Sequence, residues 1–129
     1  MLMAALVATS AVPAAAQDGP GPANSFDNAW EATSADYQNA LRTLETRGQD
    51  ETAAAVHRLR RSFQQLAERF AAEPPAHLAG DAAWPAEFMQ IDVGLVGTLL
   101  VIDMGSRDGA RQSLTPLAET LARLRTPAR

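Results

Sequence analysis

Beyond residue 16 the chain carries two histidines, His57 and His77, and two methionines, Met89 and Met104, and it contains no cysteine anywhere. A histidine with a methionine is a donor set suited to haem or copper, and His77 with Met89 is the pair whose positions allow joint ligation. Each also has a plainer reading, since loop histidines are common on surfaces and a methionine beside a core stripe usually fills space. His57 follows an apolar stripe residue and stands beside Arg58, Arg60 and Arg61, so that patch reads either as a contact for an anion or acidic partner or as an ordinary solvated face. The absence of cysteine excludes disulfides, thiol catalysis, thiolate metal sites and covalent haem attachment through C-x-x-C-H. Asp92 and Asp103 are three helical turns apart, too far to share a proton or a metal. No Glu-x-x-His pair of the di-iron kind occurs, and no serine has a suitably placed histidine. Catalysis is not expected.

Four heptad-patterned stretches would position these residues. The first runs from about Ser25 to Arg47, with Asn24 or Ser25 as N-cap and Phe26, Trp30, Tyr37, Leu41 and Leu44 at helical spacing. Gly48 ends it. The second opens at Asp50, and its residues Val56, Leu59, Phe63, Leu66 and Phe70 alternate steps of three and four until Pro74 and Pro75 stop it. After the longest connection, Glu73 to Trp84, the third runs from about Pro85 to Met104, with Phe88, Ile91, Leu95, Thr98 and Ile102 on one face and Val93, Val96, Leu100 and Val101 spread over the others. Gly105 and an Arg107-Asp108-Gly109 turn lead into the fourth, about Ala110 to Arg125, with Leu114, Leu117, Leu121 and Leu124 in step. Pro116 should kink it or delay its start.

Short connections between the first and second and between the third and fourth stretches require antiparallel neighbours. The expected fold is therefore an all-α, up-down-up-down four-helix bundle over residues 25–125. In that topology Phe26, Trp30, Phe70, Trp84 and Phe88 gather at one end, either as core filling or as the wall of an apolar pocket. His77 and Met89 belong to the same end.

Residues 1–16 form an uncharged apolar block closing on Ala14-Ala15-Ala16, the small-x-small pattern of a cleaved export signal, though no Lys or Arg precedes it. The expected organisation is a removed signal at 1–16, a Gly- and Pro-rich leader at 17–24, the bundle, and a short tail at 126–129. No later segment is expected to span a bilayer, because the longest uncharged run, Val93 to Ile102, is short. The net charge is -4. A mildly acidic chain whose basic residues are all arginine is a poor binder of nucleic acid or anionic membrane through bulk charge.

The run from Phe88 through Leu95-Val96-Gly97 to Asp108-Gly109, with the Pro74-Pro75-x-x-Leu78 loop ahead of it, resembles the cytochrome b562 family of periplasmic haem-binding bundles. The resemblance implies a four-helix bundle in the periplasm that holds haem b between a methionine early in the first helix and a histidine near the end of the last. Carried across, those positions fall around Thr33 or Ser34 and around Thr126 to Arg129. Neither supplies a ligand, since no methionine lies between Met3 and Met89 and the fourth stretch has no histidine. The family's haem would sit at the aromatic end, so an altered set would draw on His77 and Met89 with Phe26, Trp30, Trp84 and Phe88 around it.

The third stretch is apolar nearly all round, yet a bundle hides one side of each helix. Val93, Leu100 and Val101 should then leave an exposed strip beside Gly94 and Gly97, which permit close helix approach. A homodimer or a partner protein is expected there. The expected function is binding without a cofactor, as an exported interaction bundle, with haem or copper carriage as the alternative.

Overall fold

In a computed structural model of the chain, residues 22–125 are described, and the segments expected to be the export signal and the C-terminal tail lie outside them. Helices α1 (Pro22–Thr46), α2 (Gln49–Ala72) and α3 (Trp84–Asp103) are followed by two half-length helices, α4 (Arg107–Leu114) and α5 (Leu117–Leu124), and a 3-10 turn (Ala76–Leu78) lies in the longest connection. The result is an all-helical fold of four rods, the last broken at Pro116. No strand occurs among the described residues.

Heptad stripes account for the core. On α2, Val56, Leu59, Phe63, Leu66 and Phe70 are buried together with Thr52 and Ala55. On α3 the buried set is Trp84, Phe88, Ile91, Leu95, Thr98 and Ile102, and Leu114, Leu117, Leu121 and Leu124 point inward from α4 and α5. From α1 the core takes Phe26, Thr33, Tyr37, Ala40 and Leu44, while Trp30 and Leu41 are half-buried. Each rod contacts the next in the chain, and α4 and α5 return to α1.

Two helix starts differ from expectation. α1 begins at Pro22, ahead of Asn24 and Ser25, because proline's fixed φ and missing N–H suit a first turn. α4 begins at Arg107, so Arg107-Asp108-Gly109 is its first turn. Ser106 is the cap, its Oγ accepting from the Gly109 N–H at 3.0 Å. A β-carbon on Gly109 would meet that Oγ at 2.7 Å, which is why glycine stands there.

α3 ends in a left-handed cap. Gly105 has φ +83, its N–H bonds the Ile102 carbonyl at 2.9 Å, and the Ser106 N–H reaches back to Val101 at 2.9 Å. At Pro116 the missing N–H breaks the last rod, and the Ala118 N–H bonds Thr115 instead of Leu114. The freed Leu114 carbonyl accepts from the Tyr37 hydroxyl at 2.8 Å. About two turns further on, the Trp30 indole N–H donates to the Leu121 carbonyl at 2.8 Å.

One expectation about membranes is corrected. By length and composition α3 is long and apolar enough to cross a bilayer, with a mean hydropathy of 1.4, and only 22% of that stretch is buried. The uncharged run underestimates it because Glu87 and Asp92 interrupt a helix that stays apolar on average.

Candidate functional site

Burial of six α3 residues in the core leaves the opposite side of that helix to solvent. Met89 is 69% exposed, Val93 66%, Leu100 61% and Met104 76%, with Val96 also exposed. Ala86 and Gly94 are exposed beside them and Gly97 is half-buried. The carboxylates on α3's flanks turn away from this strip. Asp92 accepts from both Arg60 Nε, at 2.8 Å, and Arg60 Nη2, at 3.1 Å, and Glu87 accepts from Arg123 at 3.0 Å. The hydrogen bond from Arg60 holds the Asp92 carboxyl below its ordinary range, so the pair stays charged and mutually satisfied at neutral pH. Between these two neutralised rims the face from Ala86 to Leu100 carries one polar side chain, Gln90, and no charge.

Of the interface residues expected from sequence, Val93, Gly94 and Leu100 lie open and Gly97 lies at the edge. Val101 is half-buried and packed against the core. Sequence reasoning missed Ala86, Val96 and Met104 as members of the strip and assigned Met89 to ligation. The signal was available in the 86, 89, 93, 96, 100 spacing.

The aromatic end is filled ring against ring. Phe70 meets Phe26 edge-on with centroids 6.2 Å apart and Phe88 at 5.5 Å, and Trp84 lies 5.8 Å from Phe88. Arg123 lies over the Trp84 ring at 5.1 Å, and the buried Trp84 indole N–H has no partner. Trp30 turns instead toward α5, with Arg125 over its ring at 5.6 Å. His77, on the 3-10 turn, and Met89 are both exposed to solvent, on different elements. Thr33, where the resemblance would put an axial methionine, is fully buried, and its hydroxyl donates to the carbonyls of Ala29, at 2.8 Å, and Ser62, at 3.3 Å. A threonine engaged in this way does not fit axial ligation of haem, and the rings leave Phe26 and Phe88 in contact with protein. No group of three or more His, Asp or Glu suited to a metal ion occurs among the described residues.

Grooves elsewhere include one of about 680 Å³ along α1 and α2, lined by Asn28, Ala32, Gln65, Glu68 and Arg69. Another of about 240 Å³ lies between the α1–α2 and α3–α4 turns, lined by Gly48, Gln49, Thr52, Ser106 and Arg107. Its polar groups are engaged, with Gln49 bonded to the Asp103 carbonyl at 3.0 Å and Arg107 to those of Glu45 and Arg47.

No protein-family model matches this chain, and neither a curated protein nor a solved structure matches it.

Proposed function

We propose that this chain is an exported periplasmic bundle, running up-down-up-down in the cytochrome b562 arrangement, that lacks the family's Met/His ligation of haem and acts by binding a protein through the outward face of α3. The exposed apolar strip on α3 is the observation that carries this reading. A continuous uncharged apolar face of that size marks a binding surface on a small soluble domain. The topology draws support from residue pairs whose numbers rise along α1 as they fall along the last rod: Trp30 with Leu121, Tyr37 with Leu114, and Glu45 with Arg111. Export draws on the apolar block ending at Ala16. Engagement of Thr33 in α1–α2 packing supports the loss of haem ligation.

The test places a photo-crosslinking side chain at Val93 or Leu100 in the chain as secreted, with Gln38 on α1 as control. Discrete adducts from α3 positions and none from Gln38 are expected; equal or absent labelling overturns the reading. Titration of residues 17–129 with hemin should be featureless. A saturating one-to-one Soret shift, lost in His77→Ala or Met89→Ala, would instead establish the altered donor set.

A further inference from the structure

α3 carries two helical seams. The inner one, Trp84, Phe88, Ile91, Leu95, Thr98 and Ile102, is buried in the bundle. The outer one, Ala86, Met89, Val93, Val96 and Leu100, repeats steps of three and four on the opposite side and is exposed. A sustained three-four alternation of apolar residues is what a second helix fills, knob into hole.

We propose that the occupant is a second copy of this chain, packed α3 against α3 with the two helices running in opposite directions. The inference rests on the reading of α3 as an interaction surface and names its partner. The seam is complementary to itself about a two-fold axis. With Val93 opposite the partner's Val96, Met89 falls opposite the partner's Leu100 and Ala86 opposite the partner's Asp103. The large residues thus flank a small centre, and the one charge at the end of the seam, Asp103, meets the first turn of the partner's α3. That turn's own carboxylates are already engaged, Asp81 by the Ala83 N–H at 3.0 Å and Glu87 by Arg123, and a helix start without a side-chain cap from Ala83 favours further negative charge. A parallel pairing would set the two Asp103 carboxylates side by side and join like ends of two helix dipoles.

Gly97 agrees. A β-carbon at Gly94 or Gly97 would meet nothing within 4 Å, so packing inside one copy does not require either. Both cost helix stability; Gly97 lies at the edge of the seam, where a close neighbour would use the missing side chain, and Gly94 lies on the flank toward Ser113 and Leu117. The exposed parts of Met89, Val93, Val96, Leu100 and Met104 amount to on the order of 500 Å² per copy, so a pair would bury at most about 1,000 Å², the lower limit for a specific interface. A lipid surface fits less well. Arg60 and Arg123 beside the strip are engaged by Asp92 and Glu87, and the seam's end presents Asp103, which anionic headgroups repel.

The test uses residues 17–129, purified, with sedimentation equilibrium and the absence of native cysteine. Wild type should form a dimer with a dissociation constant on the order of 10 μM, and Val93→Glu or Leu100→Glu should weaken it by at least about tenfold while leaving the helical circular dichroism unchanged. Gly97→Ala should raise the melting temperature of the dilute monomer and weaken the dimer, opposite signs that a purely structural role would not produce. Under mild oxidation, an equal mixture of Met89→Cys and Leu100→Cys should yield the mixed disulfide in excess of either self-disulfide. Strict monomer at about 100 μM, ten times the expected constant, overturns the proposal, as does cosedimentation of monomer with phosphatidylethanolamine–phosphatidylglycerol vesicles in place of self-association. Dominant self-disulfides overturn the opposed pairing. A monomer whose α3 positions still crosslink another protein during secretion overturns the second copy alone and leaves the interaction reading standing.

Discussion

Two side chains of α1 show how single residues hold the fourth rod. Pro116 frees the Leu114 carbonyl, and Tyr37 satisfies it; the last turn of α5 leaves Leu121 open, and Trp30 satisfies that. Burial pushes the Tyr37 hydroxyl above its ordinary value of 10.0, so it remains a donor throughout the neutral range. Tyr37→Phe keeps the ring and strands a carbonyl. It should lower stability by about 1–2 kcal/mol in urea unfolding, with the slope unchanged. Loss of less than about 0.3 kcal/mol would mean that water replaces the phenol. The sequence spacing already marks Tyr37 as a core residue, but its hydrogen bond was hidden because the acceptor lies 77 residues along the chain and exists only through the helix break.

At the scale of elements, the stripes of α2, α3 and the last rod were legible residue by residue, since a period near three and a half is a direct consequence of which side faces the core. Helix starts were less legible. Asn24 and Ser25 are good caps by type, yet Pro22 opens α1. Gly109 suggested a turn, although it serves to let Ser106 cap α4 from close range. The end of α3 was read correctly at Gly105, and the left-handed φ there makes a sharp prediction. Gly105→Ala should destabilise the fold by about 1 kcal/mol, measured as a lower melting temperature, because a β-carbon opposes that conformation whatever space surrounds it. An unchanged melting temperature would show that the turn refolds into another cap. Of the candidate site, Val93, Gly94, Gly97 and Leu100 could be named in advance. Val96 and Met104 were passed over although the same three-four spacing carries them to the side opposite the Phe88, Ile91 and Leu95 stripe.

For the whole molecule, ion pairs tie neighbouring rods together: Arg60–Asp92 joins α2 to α3, Arg111–Glu45 joins α4 to α1, and Arg123–Glu87 joins α5 to α3. Hydrogen bonds from Arg60 and Arg111 lower the carboxyl groups of Asp92 and Glu45 below their ordinary values of 3.8 and 4.5. A carboxylate lowered in this way stabilises the folded state above its unfolded value, and that contribution fades as pH falls through the folded one. Melting temperature should therefore decline from about pH 4.5 downward. Asp92→Asn should begin lower at pH 7 and decline less steeply; equal slopes would show that the pair does not report on folding. Since the pairs are partly exposed, raising the salt concentration should shrink the difference. Bundles with repeating stripes carry one characteristic hazard, a slide of one rod along another by a full repeat, which keeps stripe facing stripe and loses burial only at the ends. Trp30 and Tyr37 are one repeat apart, and so are the carbonyls at Leu121 and Leu114 that they reach. Such a slide would align only one donor with one acceptor and leave the other two groups unmatched. The two bonds therefore act as a ruler with two marks, and they set the vertical alignment of the first and last rods where oil alone discriminates only at the ends.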